Sequence, residues 1–164
     1  MGTEIERKFL LRDDGWCAGA GGSSCRQGYL APGPPVSVRV RIMDGKAMLN
    51  IKAVADALRT TIVRDEFEYP IPIEDAEMML QNLCEGYLIE KTRYRVPFAG
   101  MTWEIDRFEG VNAGLVVAEI ELEREDQTFP MPPWLGREVS HDPRYLNASL
   151  CRHPYTLWPP AWIA

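Results

Sequence analysis

"TEIERKFL", residues 3–10, alternates apolar and charged side chains with the period of two that a β-strand imposes. On such a strand Glu4, Glu6 and Lys8 share one face, while Ile5, Arg7 and Phe9 share the other. Two carboxylates and an ammonium side by side are either a solvated outer face or the wall of a charged interior. One strand alone does not choose between them.

The same alternation returns along the chain. "VSVRVRIM" (36–43) sets Arg39 and Arg41 against Val38, Val40 and Ile42. Asp44-Gly45 then predicts a tight hairpin turn into "KAMLNIKA" (46–53), where Asn50 and Lys52 oppose Leu49 and Ile51. "TTIVRDEFEYPI" (60–71) places Glu66 and Glu68 opposite Phe67 and Tyr69, and "YLIEKTRYRVPF" (87–98) places Lys91 and Arg93 together. After an Ala-Gly turn, "MTWEIDRF" (101–108) carries Glu104 and Asp106, and "LVVAEIELER" (115–124) carries Glu119 and Glu121.

A wet sheet face mixes Thr, Ser, Gln and Lys, whereas here whole strands carry only acid pairs or only basic pairs. Like charges two residues apart repel, so nothing local favours the pattern. It is accounted for if the strands close into a barrel with the charged face inward around a ligand. The predicted fold is therefore mainly β (α+β): an eight-stranded antiparallel β-barrel with a charged interior and a few helices packed outside.

The remaining segments read as connections. "CRQGYL" (25–30) is a further strand, and the glycine-rich "DDGWCAGAGGSS" (13–24) is a flexible connection with no G-K-[ST] to make it a phosphate loop. "VADALR" (54–59) is a second loop. "PIEDAEMMLQNLCEG" (72–86) predicts an amphipathic helix with Ala76, Met78, Met79 and Leu83 on one stripe and a glycine stop. "PPWLGREVS" (132–140) and "RYLNASL" (144–150) are expected as helical turns, and "WPPAWIA" (158–164) as an extended tail. One domain is expected over 1–164, with a core to residue 150 and a tail beyond it.

At 164 residues, 46% hydrophobic and 26% charged, the composition is that of a globular protein with a sizeable core. The net charge of −6 argues against general nucleic-acid binding. No apolar run is long enough for a spanning helix. With no apolar leader before the first strand, a cytoplasmic location is expected. Cys17, Cys25, Cys84 and Cys151 form no C-x-x-C pair, and His141 and His153 are the only histidines, which weighs against zinc and against histidine-based nucleophile chemistry.

The interior so predicted has a chemical preference. Lys8, Arg39, Arg41, Lys52, Lys91 and Arg93 suit a multiply charged anion, the arginines through forked donors that match phosphate oxygens. Glu4, Glu6, Glu66, Glu68, Glu104, Asp106, Glu119 and Glu121 would repel that anion unless hard divalent cations, Mg²⁺ or Mn²⁺, stood between. A polyphosphate with its metal is the natural guest, whereas a carrier of apolar ligands would need an apolar lumen.

These residues also match a known pattern. "EIERKF" holds the E-x-E-x-K signature, and the chain resembles the CYTH family, also called triphosphate tunnel metalloenzymes. "RQGYL", "VRVRI", "NIKA", "RDEFEY", "IEKTRY", "WEIDRF", "AEIEL" and "PPWLGREVSHDPRYLN" follow in that family's order and spacing over nearly the whole chain. In length and in its "RQGYL" and "EKTRY" segments it is most similar to compact bacterial members that hydrolyse inorganic tripolyphosphate.

The resemblance implies an eight-stranded antiparallel tunnel open at both ends. It implies that Glu4, Glu6, Glu119 and Glu121 hold the principal metal, with Asp106, Glu66, Glu68 and Glu104 helping a second metal or positioning water. Lys8, Arg39, Arg41, Lys52, Lys91 and Arg93 would bind the triphosphate, with Glu4, Glu6, Lys8 and Lys52 central to catalysis. Tyr29 would assist proton transfer together with Lys8, provided that lysine's pKa is lowered. The expected reaction is in-line hydrolysis to pyrophosphate and phosphate without a covalent nucleophile. The alternatives are an organic triphosphatase acting on thiamine triphosphate or a nucleoside triphosphate, a class IV adenylyl cyclase, and a non-catalytic polyphosphate-binding module. The expected partner is a small polyphosphate, with no nucleic acid and no membrane, and an exposed strand patch would support a homodimer. The glycine-rich loop departs from the family pattern and bears on the tunnel entrance.

Overall fold

The structure, a computed structural model, describes residues 2–17, 19, 21–33, 35–53 and 62–163. Its strands are β1 (Gly2–Leu11), β2 (Gly22–Pro32), β3 (Val36–Met43), β4 (Lys46–Ala53), β5 (Ile62–Ile71), β6 (Glu85–Phe98), β7 (Met101–Phe108), β8 (Val116–Glu121) and β9 (Leu135–Glu138). The helix α1 (Ile73–Asn82) joins β5 to β6. The strand order is β5-β4-β3-β2-β6-β7-β8-β1, and a β1–β5 pairing closes the ring into an antiparallel barrel of eight strands. Closure leaves no exposed sheet edge between β1 and β5 to template aggregation. The hairpin turn at Asp44-Gly45 has φ of 51° and 69°, the mirror-image conformation that matches strand twist.

β1 closes the barrel because it is long enough to serve several neighbours. Residues Gly2–Glu6 pair with β5 on one edge, while Glu6–Leu10 pair with β8 on the other. Past the end of β5, β9 takes over the first edge, with Phe9 opposite Glu138 and Leu11 opposite Leu135. The segment "PPWLGREVS" thus holds a strand and not the expected helical turn: Pro132 and Pro133 supply no N–H donors, and the free edge of β1 offers a ladder. The "VADALR" loop lies outside the described residues.

Alternation sorts the strands into two faces, each with its own packing. Outward, Phe9, Trp103, Ile105, Ala118 and Ile120 form a core with Trp16, Trp134 and Leu135. Trp16 stacks edge-on against Tyr94 at 5.0 Å, so this part of the glycine-rich connection is anchored, and β2 already begins at Gly22. On the other side of the barrel, α1 lays Ala76 and Leu80 on Val40 and Ala47, with Met79 beside them. Met78 and Leu83 are exposed, which corrects the predicted stripe. At 3.6 residues per turn Met78 lies roughly 200° around the helix from Ala76.

The inward rows change character along the barrel axis. β1 runs Glu4, Glu6, Lys8, Leu10; β6 runs Arg95, Arg93, Lys91, Ile89; β7 runs Glu104, Asp106, Phe108; and β8 runs Glu121, Glu119, Val117. Each row is charged at one end and apolar at the other. At the apolar end Tyr29, Ile89, Phe108 and Val117 pack with Val139, Tyr145, Leu150, Cys151 and Trp158 from the C-terminal segment. That segment forms a floor, so the barrel is not a passage open at both ends. Trp158, expected in an extended tail, is buried against Tyr145 and Tyr155, because one end of the barrel would otherwise expose its apolar lining. Among the described residues no helix is long and apolar enough to cross a membrane.

Candidate active site

Above this floor lies a cavity of about 760 Å³. The barrel contributes Lys8, Arg39, Arg41, Lys52, Arg64, Arg93 and Arg95, interleaved with Glu4, Glu6, Glu66, Glu68, Glu104, Glu119 and Glu121. The C-terminal segment adds Ser140, His141, Asn147, Ser149 and Arg152, and Tyr29 completes the lower wall.

Three sets of ion pairs order these charges. In the first, Lys52 Nζ contacts both oxygens of Glu4 at 2.9 and 2.8 Å, and Arg64 bridges Glu4 at 3.0 Å and Glu6 at 2.8 Å. Burial works to raise the Glu4 carboxyl, but Lys52 and Arg64 outweigh it and hold it below its usual value. Glu6 goes the other way: burial and the nearby Glu119 push it up despite Arg64 and Lys8.

The second set is deeper. Lys8 Nζ lies 2.8 Å from Glu119, which also accepts from Arg93 at 3.2 Å. Burial raises Glu119, but Lys8, Arg93 and Lys91 overcome it and hold the carboxyl well below the usual range. Arg93 forks onto Asp106 with two 2.7 Å bonds and also reaches Glu104. Lys91 donates to Asp106 at 2.5 Å. Asp106 is fully buried, and Arg93 and Lys91 keep it ionised against the pull of burial.

In the third set Asn50 donates to Glu66 at 3.0 Å and to Glu68, while Arg41 reaches Glu68 at 3.0 Å. Arg39 stands 4.0 Å from Glu66. The Nε atoms of Arg39 and Arg64 are buried without a hydrogen-bond partner among the described residues. Unmade bonds of buried charged donors are costly.

The residues expected from sequence therefore divide by depth. Glu4, Glu6, Lys8, Arg39, Arg41, Lys52, Glu66, Arg93, Glu119 and Glu121 line one cavity, as do Glu68, Glu104 and Tyr29. Lys91 and Asp106 share the inward face but sit a step lower, at the apolar border behind the lining, where Lys91 donates to Asp106. The shift in the lysine paired with Tyr29 in that expectation runs the other way: burial works to lower Lys8, but Glu119 and Glu6 outweigh it and raise it. Burial likewise raises the Tyr29 phenol, leaving it protonated at neutral pH. Arg64 and Arg95 escaped the sequence reading, although period two places them on the faces of Glu66 and Arg93.

The donor set suits a hard divalent cation. Glu6 pairs with Glu121 across β1 and β8, and Glu104 with Glu119 across β7 and β8, so carboxylates meet on three adjacent strands. Burial raises Glu121, and Glu4, Glu104 and Glu66 raise it further. Glu121 makes no ion pair among the described residues. Glu121, raised by its carboxylate neighbours, is where positive charge is wanting, and an oxygen-loving cation would supply it. Among the described residues, however, no acidic cluster closes to metal-binding spacing, because Arg64 bridges Glu4 and Glu6, and Lys8 and Arg93 engage Glu119. The residues thus fit a cation that brings phosphate oxygens and water with it better than a dedicated protein cage.

Comparison with known proteins points the same way. Residues 2–155 match the CYTH domain. The chain is 48% identical over 155 residues to a protein named inorganic triphosphatase from Acetivibrio thermocellus, an alignment covering 94% of this chain and 97% of that one. A protein of the same name from Nitrosomonas europaea is 37% identical over 155 residues, covering 90% and 96%. A crystal structure of an inorganic triphosphatase overlays with a TM-score of 0.64 at 34% identity, covering 98% of both chains.

Proposed function

This chain belongs to the CYTH domain family, and from that premise we propose that it is a divalent-cation-dependent triphosphatase whose substrate is inorganic tripolyphosphate. The observation that carries the reading is the cavity itself, where basic rows on β6, β3 and β4 stand against acidic rows on the contiguous strands β7, β8, β1 and β5. Mg²⁺ or Mn²⁺ would be held by Glu4, Glu6, Glu119 and Glu121, with Glu66 nearby. When bound, the cation polarises phosphoryl oxygens and neutralises their charge.

The chain's own residues do the rest. Lys8, Arg39, Arg41, Lys52 and Arg93 bind the phosphate chain, and Arg64 joins them. They offset the charge that spreads over the transferring phosphoryl group. A carboxylate of the acidic set orients the attacking water and accepts its proton. The bond from the terminal phosphorus to its bridging oxygen breaks, releasing pyrophosphate and phosphate. Tyr29, protonated, serves as a hydrogen-bond donor. Lys91 acts through Asp106 and Arg93, and Asp106 serves as their anchor. A single domain over residues 1–164 in the cytoplasm completes the proposal.

A cavity of about 760 Å³ lies within the range of roughly 300–1,000 Å³ that holds drug-sized ligands, so an organic triphosphate is the second reading. Glu4→Gln and Lys52→Ala test the shared site. Each is expected to lower kcat/KM for tripolyphosphate by orders of magnitude while the far-ultraviolet circular dichroism stays unchanged. Wild-type turnover by either variant would sink the assignment.

A further inference from the structure

Lys8 is gripped from behind. Its backbone N–H donates to Ser140 Oγ at 2.9 Å, and its carbonyl accepts from Val139 N–H at 2.8 Å. Its ammonium lies 3.4 Å from the Tyr145 carbonyl, in addition to Glu119. Both backbone groups of Lys8 face the edge where β9 has just ended, so a serine hydroxyl replaces the strand acceptor that would otherwise stand there.

The hydroxyl itself is not free to turn. Ser140 Oγ lies 2.7 Å from Glu138 Oε1, and since it accepts from Lys8 N–H it donates to that carboxylate. Glu138 is fixed by a two-pronged pair with Arg7, Nε to Oε1 at 2.8 Å and Nη2 to Oε2 at 2.5 Å. The Arg7 guanidinium is held over Phe9 at 5.4 Å and Phe129 at 5.1 Å. Forked arginine–carboxylate pairs fix orientation as well as contributing energy.

We propose that Ser140, held by the Arg7–Glu138 pair on the outer face of the barrel, is a positioning residue that sets the height of Lys8 in the cavity. This rests on the phosphate-contact role proposed for Lys8. It gives a use to Arg7, which faces away from the site while sitting between two of its residues. Misplacement of a reacting group by about 1 Å costs on the order of 100-fold in rate, so a hydroxyl at the cavity wall can control turnover through the backbone of Lys8.

A double-mutant cycle separates positioning from stability. Ser140→Ala is expected to lower kcat/KM for tripolyphosphate about 10- to 100-fold at a temperature where the variant is fully folded, by that same geometric sensitivity. Ser140→Thr, which keeps the hydroxyl, should recover most of it. In a Lys8→Met background the same Ser140→Ala change should cost less than about twofold, because distant or uncoupled sites add whereas coupled ones do not. An equal loss in both backgrounds, or no loss with Lys8 present, overturns the inference while leaving the site assignment standing. Wild-type turnover by Lys8→Met overturns the role of Lys8 and the inference with it. Should Ser140→Ala not fold, Glu138→Gln in the same two backgrounds gives the same reading, since it removes the charge that holds the hydroxyl.

Discussion

Asp106→Asn separates two roles that a buried aspartate in this barrel could have. Asp106 accepts two 2.7 Å bonds from Arg93 and one of 2.5 Å from Lys91, and it has no exposed surface. Asparagine keeps the shape but not the charge, and its amide nitrogen must face either an ammonium or a guanidinium. Removing one partner from a buried ion pair leaves an uncompensated charge and costs about 3–5 kcal/mol. For a chain of 164 residues, where each kcal/mol moves Tm by about 2–4 °C, the expected loss is roughly 6–20 °C. Thermal unfolding followed by circular dichroism in metal-free buffer reads that shift. A cation titration of activity, run below the transition, should give a half-saturating concentration within about threefold of wild type. If instead Tm holds within about 2 °C and the cation requirement rises tenfold or more, Asp106 is a ligand and the anchoring argument is wrong.

Two other perturbations test the packing around the site. The Arg7–Glu138 pair, together with Ser140, holds the Glu138 carboxyl below its usual value against burial, so its contribution is complete above the unfolded carboxylate pKa of about 4.3 and is lost as pH falls through the lower folded value. The Tm gap between wild type and Arg7→Met should therefore be constant above about pH 5 and shrink toward pH 3; a gap independent of pH across that range would refute the pairing. Gly86 has a φ of 70°, and a Cβ there would run into the Cys151 carbonyl oxygen. Gly86→Ala should cost more than the roughly 1–2 kcal/mol of the left-handed conformation alone, and a Tm equal to wild type would show that the C-terminal floor does not press on β6.

The strands were legible because period two survives in almost every one of them. β3, β4 and β7 begin and end where the alternation does. Their inward face was also legible, since paired like charges repel and are poorly accounted for on a solvated face. Depth was not. Alternation tells which face Lys91 and Asp106 occupy but not how far down the axis they sit, although the rows announce it by ending in Leu10, Ile89, Phe108 and Val117. Arg64 and Arg95 obey the same alternation that singles out Glu66 and Arg93, one step further along each row. β9 and the floor had no periodic signal: Leu135–Glu138 is too short to alternate, and "RYLNASLCRHPYTLW" is folded by what it covers and not by its own pattern. Propensity is a weak guide where tertiary packing decides.

The central claim is tested most directly by incubating the protein with Mg²⁺ or Mn²⁺ and, side by side, tripolyphosphate, ATP, GTP and thiamine triphosphate, resolving phosphate, pyrophosphate and cyclic AMP. The account predicts that tripolyphosphate is turned over with the highest kcat/KM, that phosphate and pyrophosphate appear in equal amounts, and that EDTA abolishes both. Cyclic AMP formed from ATP without hydrolysis of tripolyphosphate, or tight binding of all four compounds with no turnover of any, would contradict it.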